Sequence, residues 1–194
     1  MNNQPSYPTQ QQGQRQRSPF HIGMRNIKTA LAATLCALLY YPSANPTFAC
    51  IGAIFGMGSD FENSYLNGGN RFIGTVIGGF IGMFLFHIYV QFYPEGGTHP
   101  LLLVLLFIGV NLLIVFSRLF HWPGAVQPGG VVLCIIFFNT PVDTYVAYSL
   151  NRMLDTAIGV AVALLVNILL PRELVLQWME FFQNLRKRII KQKH

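Results

Sequence analysis

An arginine followed four residues later by a threonine occurs three times in the sequence: Arg25 and Thr29, Arg71 and Thr75, and Arg152 and Thr156. This spacing places both side chains on one face of a helix. At the start of a helix they would join backbone N–H groups that are unpaired and carry partial positive charge. The pattern therefore predicts a site that attracts anions. The alternative is an arginine that reaches lipid phosphate and a threonine that bonds its own helix.

Asp155 is the only acidic residue inside an apolar stretch of the chain. A carboxylate at membrane depth is costly, so it indicates a function, and Arg152, one helical turn earlier, is its predicted partner. Two interpretations stay open, a structural ion pair and a carboxylate that couples transport to protons. His87 could relay protons, although a histidine that is simply hydrogen-bonded is the commoner case. Asn111 and Asn167 are predicted to form hydrogen bonds between helices.

The composition indicates that these residues lie in a membrane protein. Of 194 residues, 52% are hydrophobic and 10% are charged, whereas soluble domains average about 25% charged residues. Ten of the 13 basic residues crowd the two ends of the chain instead of a folded face, which argues against a nucleic-acid partner. The chain has no HExxH, no nucleophile elbow and no phosphate loop followed by lysine. We therefore expect no catalytic residue, no metal and no cofactor.

Six apolar segments predict an all-α fold with six transmembrane helices, at about 25–41, 46–58, 71–92, 100–117, 122–139 and 148–170. The third and sixth are long enough to cross a hydrocarbon core of about 30 Å. The second and fifth are short, or broken near Pro42 and Pro46 and near Pro123 and Pro128. Because proline removes a backbone donor, such breaks need surroundings of protein or water.

The distribution of basic residues predicts the orientation in the plasma membrane. With six spans and both termini in the cytoplasm, 12 of the 13 basic residues lie inside and only Arg152 lies outside. If the second and fifth segments were re-entrant, Arg71 and Arg118 would move outside and the split would be 10 to 3. The positive-inside rule favours the six-span arrangement.

A shift of 81 positions aligns the two halves of the chain. Five of the nine residues of 70–78 recur in 151–159, and Pro42 falls on Pro123. Each copy holds three segments, so the second would enter the membrane from the opposite side as an inverted repeat, a plan in which broken helices mark the substrate site. The predicted substrate-binding residues are Arg71, Thr75, Arg152, Thr156, Pro42 and Pro123.

Small residues recur at four-residue spacing in several segments, and we expect them to let helix backbones pack closely. They are Gly52 and Gly56, then Gly74, Gly78 and Gly82, and finally Gly159 and Ala163.

The chain divides into three predicted parts. Residues 1–20 are rich in Gln, Asn, Pro and Ser and predict a disordered tail. Residues 21–171 form the membrane domain, with repeats at about 25–90 and 106–171. Residues 172–194 place Leu174, Trp178, Phe181 or Phe182, Leu185 and Ile189 at helical spacing with basic residues opposite. This pattern predicts an amphipathic helix on the inner leaflet or, alternatively, one packed on a partner subunit.

Three stretches resemble the aromatic acid exporter and fusaric-acid-resistance group of bacterial membrane proteins. They are GMRNIKTALA at 23–32, NRFIGTVIG at 70–78, and NRMLDTAIG at 151–159 with its extension to Asn167. The resemblance implies an all-helical six-span domain, oligomers, and export of aromatic or other organic acids driven by the proton gradient. Plant malate channels are similar in membrane architecture, which keeps an anion channel open as an alternative.

The leading hypothesis is therefore an inner-membrane exporter of organic, in particular aromatic, carboxylates that works as a homo-oligomer among membrane lipids. Arg71, Arg152 and the broken segments would attract the anion, and Asp155 would couple its export to protons. An anion channel and a non-transporting membrane scaffold or regulatory subunit are the alternatives.

Overall fold

The computed structural model describes residues 24–42 and 44–171, and this part of the chain is helical with no strand. The predicted tail at 1–20 and the predicted amphipathic helix at 172–194 lie outside the described residues. Six α-helices follow one another: α1 Met24–Tyr40, α2 Thr47–Gly56, α3 Phe61–Phe92, α4 Pro100–Leu119, α5 Val126–Asn139 and α6 Tyr145–Leu169. One turn of 3₁₀ helix, Pro123–Ala125, precedes α5. The all-α prediction is confirmed for these residues.

The described helices differ in their capacity to cross a membrane. By length and composition, α3, α4 and α6 are long and apolar enough to do so. Helices α1, α2 and α5 have 17, 10 and 14 residues, which at 1.5 Å per residue gives about 26, 15 and 21 Å. The prolines explain the two shortest helices, because α2 begins only after Pro46 and α5 only after the turn that Pro123 opens.

Helix α3 begins ten residues before the predicted start of the third segment, at Phe61 instead of about 71. The Asp60 side chain caps its start by accepting a 2.8 Å hydrogen bond from the Asn63 backbone N–H. That bond satisfies one of the N–H groups that a helix start leaves unpaired. The first ten residues of α3 are mostly polar, so apolar periodicity could not reveal this extension.

The short helices lie directly on the long ones, α2 on α6 and α5 on α3, and these are the most extensive contacts between elements. A Cβ at Gly52 would lie 3.1 Å from the Thr156 carbonyl oxygen, and one at Gly74 would lie 2.7 Å from Pro128. Gly78 meets the Gly129 backbone with no room for a side chain. The prediction that small residues serve close packing is therefore confirmed.

The packing of α2 on α6 and of α5 on α3 produces two groups of buried side chains. One joins α3, α4 and α5 around Tyr89, Leu113 and Ile136, and the other joins α1, α2 and α6 around Ala32 and Ala53. Many large apolar side chains outside these groups are exposed, including on α4 Leu103, Phe107, Val115 and Leu119. Such a surface suits lipid instead of water.

We expect the substitution Gly78→Ala to destabilise the fold by about 1–3 kcal/mol, because its methyl group would overlap the backbone of Gly129. The measurement is thermal unfolding of the purified protein in detergent. Gly130→Ala is the matched control, since a Cβ there would find its nearest neighbour at 3.9 Å and alanine favours a helix by roughly 0.5–1 kcal/mol. Equal melting temperatures for the two variants would contradict the proposed close contact.

Candidate functional site

Arg152 on α6 lies between two aromatic rings, beside the first turn of the short helix α2. Its guanidinium covers the ring of Phe48, in the first turn of α2, and its central carbon is 4.3 Å from the ring centroid of Tyr148 on α6. The Tyr148 contact lies within the distance at which an aromatic ring attracts a cation. The Nε and Nη1 groups of Arg152 are buried and have no hydrogen-bond partner among the described residues. Because such groups cost free energy unless an acceptor reaches them, they are suited to bind an anion.

Asp155 is held by a residue that sequence reasoning missed. The Tyr40 hydroxyl at the end of α1 donates a 2.7 Å hydrogen bond to a carboxylate oxygen of Asp155. Within residues 24–42 and 44–171, Arg152 makes no ion pair with Asp155, so of the two interpretations left open the structural ion pair is not formed. The reason is tertiary, since the rings of Phe48 and Tyr148 hold the guanidinium while α1 supplies a donor for the carboxylate.

Arg71 lines a polar pocket of about 290 Å³ beside the turn that Pro123 opens. The other lining residues include three amide side chains and come from α2, α3, the 3₁₀ turn and α5: Phe55, Asn67, Asn70, Gly124, Gln127 and Pro128. The guanidinium carbon of Arg71 is 5.4 Å from the ring centroid of Phe55, and its buried Nε has no hydrogen-bond partner in the described part of the chain. Sequence reasoning missed the amides, although Asn67 and Arg71 share one helix face at i, i+4 spacing.

The structure places Arg71 and Arg152 apart from each other. Helices α3 and α6 run antiparallel, with Gly68 opposite Val160 and Gly79 opposite Met153. This register separates the two arginines by roughly 10 Å along the helix axes. Each guanidinium instead faces the beginning of the short helix that packs on its own long helix, Arg71 near α5 and Arg152 near α2.

The threonines and prolines of the predicted site have local roles. The Thr75 hydroxyl donates to the Arg71 carbonyl oxygen at 2.8 Å, and Thr29 donates to Arg25 in the same way. These two hydroxyls therefore bond their own helices, as the alternative interpretation of the motif stated. Thr156 is buried against α2. The two prolines, Pro42 and Pro123, are exposed at the connections that precede α2 and α5.

A buried polar network that the sequence did not reveal joins three elements at one end of the bundle. Lys28 on α1 is 2% exposed and donates a 2.6 Å hydrogen bond to the Asn167 side-chain oxygen on α6. The amide nitrogen of Asn167 donates to the Ser64 hydroxyl at 2.6 Å and to the Asp60 carbonyl oxygen at 2.7 Å. The interhelical role predicted for Asn167 is confirmed. The same prediction is wrong for Asn111, which donates to the Phe107 carbonyl oxygen of its own helix.

Two further polar side chains, those of Asp60 and His87, have partners close by. The hydrogen bond from the Asn63 backbone is the main cause that lowers the pKa of the exposed Asp60 carboxyl, and the positive charge of Lys28 acts in the same direction. His87 lies 2.8 Å from the Tyr145 hydroxyl, as expected of a hydrogen-bonded histidine.

An apolar cleft of about 300 Å³ lies between α3 and α6 and is walled by Trp122. Its α3 residues, among them Tyr65, Gly69 and Phe72, are centred on a different helix face from the one that carries Arg71, because helical residues recur every 3.6 positions. The polar pocket and this cleft are therefore separate features.

We expect Asn167→Leu to lower stability by about 3 kcal/mol, because it removes the oxygen that Lys28 contacts and leaves Ser64 and the buried amine with fewer partners. The measurement is the melting temperature in detergent. Asn111→Leu is the matched control, since Asn111 is exposed and bonds only its own helix. A decrease in melting temperature of similar size in both variants would show that the network does not stabilise the protein more than the local hydrogen bond of Asn111 does.

Comparison with known proteins adds one match. The sequence model of aromatic acid exporter family member 1 matches residues 20–170, which include all six described helices. No curated protein and no solved structure matches the chain. The resemblance found in the three sequence stretches is thereby confirmed, and the matched part carries the helices that are apolar enough to cross a membrane. The chain belongs to the aromatic acid exporter family.

Proposed function

We propose that this protein exports organic, in particular aromatic, carboxylate anions across the plasma membrane, and that the proton gradient drives the export. The observation that carries the proposal is the environment of Arg152, whose buried Nε and Nη1 groups lack an acceptor while aromatic rings cover the guanidinium. A carboxylate would supply the missing acceptors through paired hydrogen bonds. Family membership supports the same class of substrate.

The substrate would meet two cationic positions on its path. Arg71 in its amide-lined pocket and Arg152 between its rings each face the start of a short helix, where the helix dipole also favours an anion. Thr75 and Thr156 would shape the backbone behind these arginines, and the breaks after Pro42 and Pro123 would keep the short helices from filling the path. All six residues therefore belong to the proposed substrate-binding region.

The proposed architecture is an inverted repeat of three and three segments with both termini in the cytoplasm. It is supported by the shift of 81 residues, which superimposes the position of α2 on α5 and of α3 on α6. The two most extensive helix contacts, α2 with α6 and α5 with α3, are equivalent under that shift. Short helices at matching places in two halves are typical of transporters with a central substrate site.

Membrane lipids and a second copy of the chain are the proposed partners of the outer surface. Large apolar side chains are exposed along α1, α3, α4 and α6 in the described residues. Homo-oligomers would cover part of this surface and lipid acyl chains the rest.

Proton coupling is assigned to Asp155. Its carboxylate lies one helical turn from Arg152, so protonation would change the local charge next to the bound anion. An anion channel is the second candidate, because the two separated arginines could attract anions from either side without any coupling.

Transport by reconstituted protein tests the proposal. We expect proteoliposomes to accumulate labelled aromatic carboxylates when a pH gradient is imposed, and Arg152→Gln and Arg71→Gln each to reduce the uptake rate about ten- to hundred-fold, because each removes hydrogen bonds to a charged group worth about 1.5–3 kcal/mol. Arg118→Gln is the control, since Arg118 is exposed at the end of α4.

Two other results would change the assignment. Flux of any anion without a pH gradient, together with single-channel currents, would support the channel and contradict the exporter. If neither flux nor current were found, a non-transporting scaffold or regulatory subunit would be the better description.

We expect Asp155→Asn to abolish the dependence of uptake on the pH gradient, because an amide cannot take up or release a proton at these pH values. The measurement compares initial uptake rates with and without the gradient. Asp143→Asn, in the exposed connection before α6, should respond to the gradient like the unaltered protein. An unchanged gradient response of Asp155→Asn would remove the proposed coupling role.

A further inference from the structure

Asp155 and Arg152 lie near each other on α6, yet the contacts of the described residues give each of them a different partner. Arg152 and Asp155 are three residues apart on α6, a spacing at which an arginine and a carboxylate commonly pair. The carboxylate instead accepts its hydrogen bond from the Tyr40 hydroxyl on α1. The guanidinium lies against Phe48 and Tyr148, with two of its buried nitrogens lacking an acceptor in the described part of the chain.

This arrangement matters because the carboxylate of Asp155 and the carboxylate of a substrate would compete for the N–H groups of Arg152. An ion pair within α6 would satisfy the Arg152 N–H groups and cancel the charge that is to attract an anion. The phenol of Tyr40 gives one oxygen of Asp155 a hydrogen-bond donor without adding charge, and this donor comes from a different helix, α1. Arg152 then keeps its nitrogens available.

We propose that Tyr40 is a positioning residue that holds Asp155 away from Arg152 and thereby keeps the guanidinium available to a carboxylate substrate. This inference rests on the proposed function in one respect, namely that Arg152 binds the substrate. The inference itself is that Tyr40 and Arg152 compete for the carboxylate of Asp155.

The first test is equilibrium binding of labelled benzoate to the purified full chain. We expect Tyr40→Phe to weaken binding about tenfold, because Asp155, freed from the phenol, pairs with Arg152. The double variant Tyr40→Phe/Asp155→Asn should recover most of the affinity, since an amide does not neutralise the guanidinium. Tyr41→Phe is the matched control, because it removes the hydroxyl of the neighbouring tyrosine, which is 80% exposed.

The second test needs no substrate and measures the chemical reactivity of the Arg152 side chain. Phenylglyoxal modifies arginine side chains, and peptide mass spectrometry gives the rate at Arg152 in each variant. We expect Tyr40→Phe to slow the modification about tenfold and the double variant to restore it. A purely structural role of Tyr40 predicts the reverse, since loosening of α1 would make Arg152 more reactive.

The outcomes separate this inference from the proposed function. Modification of Arg152 in Tyr40→Phe at the original rate or faster would overturn the positioning role, whatever the binding result. Unaltered protein that binds no benzoate, with the expected change in modification rate, would count against the proposed substrate class and still support the role of Tyr40. If Tyr40→Phe does not fold, Tyr40→Met takes its place in both measurements, because it also lacks the hydroxyl.

Discussion

The contact of each short helix with a long helix at residues without bulky side chains is the constraint on which the rest of the structure depends. Helix α2 approaches α6 so closely that Gly52 lies against the backbone at Thr156 and Gly159, and α5 approaches α3 in the same way at Gly78 and Gly129. Only glycine permits backbones to meet at this distance. The approach also fixes the register of each pair, because a slip along the axis would bring a side chain into the contact.

That register decides where the two central arginines point. Arg152 lies one turn before the contact of α6 with Gly52, so its guanidinium meets the first turn of α2 at Phe48. Arg71 lies just before the contact of α3 with α5, and its pocket is accordingly bounded by Gly124 and Gln127. The positions of the cations are therefore consequences of glycine packing, and each cation faces a helix start that also favours negative charge.

The buried cations of this chain differ in a way that separates structure from proposed function. Lys28 is almost completely buried, and Asn167, Ser64 and the backbone of Asp60 complete a network around it. Arg152 is half-buried, yet two of its nitrogens have no acceptor in the described residues. A network whose members are satisfied stabilises a single arrangement, whereas donors without acceptors favour the binding of something that brings acceptors with it. This contrast supports Arg152, and not Lys28, as part of the proposed anion path.

The sequence by itself determined the all-helical architecture, both boundaries of five of the six described helices to within a few residues, and the family. The length of apolar segments, the positions of prolines and the spacing of glycines are local features, so each can be read directly from the sequence. The start of α3 was not predicted because Asp60 caps a polar segment, in which apolar residues do not recur at helical spacing. Tertiary structure alone decided which groups pair, because Tyr40 and Asp155 are 115 residues apart, and Lys28 and Asn167 are 139 residues apart. Arg152 and Asp155, near neighbours in sequence, were the natural prediction for an ion pair. They do not form one because the packing of α1 and α2 on α6 gives each of them a different partner.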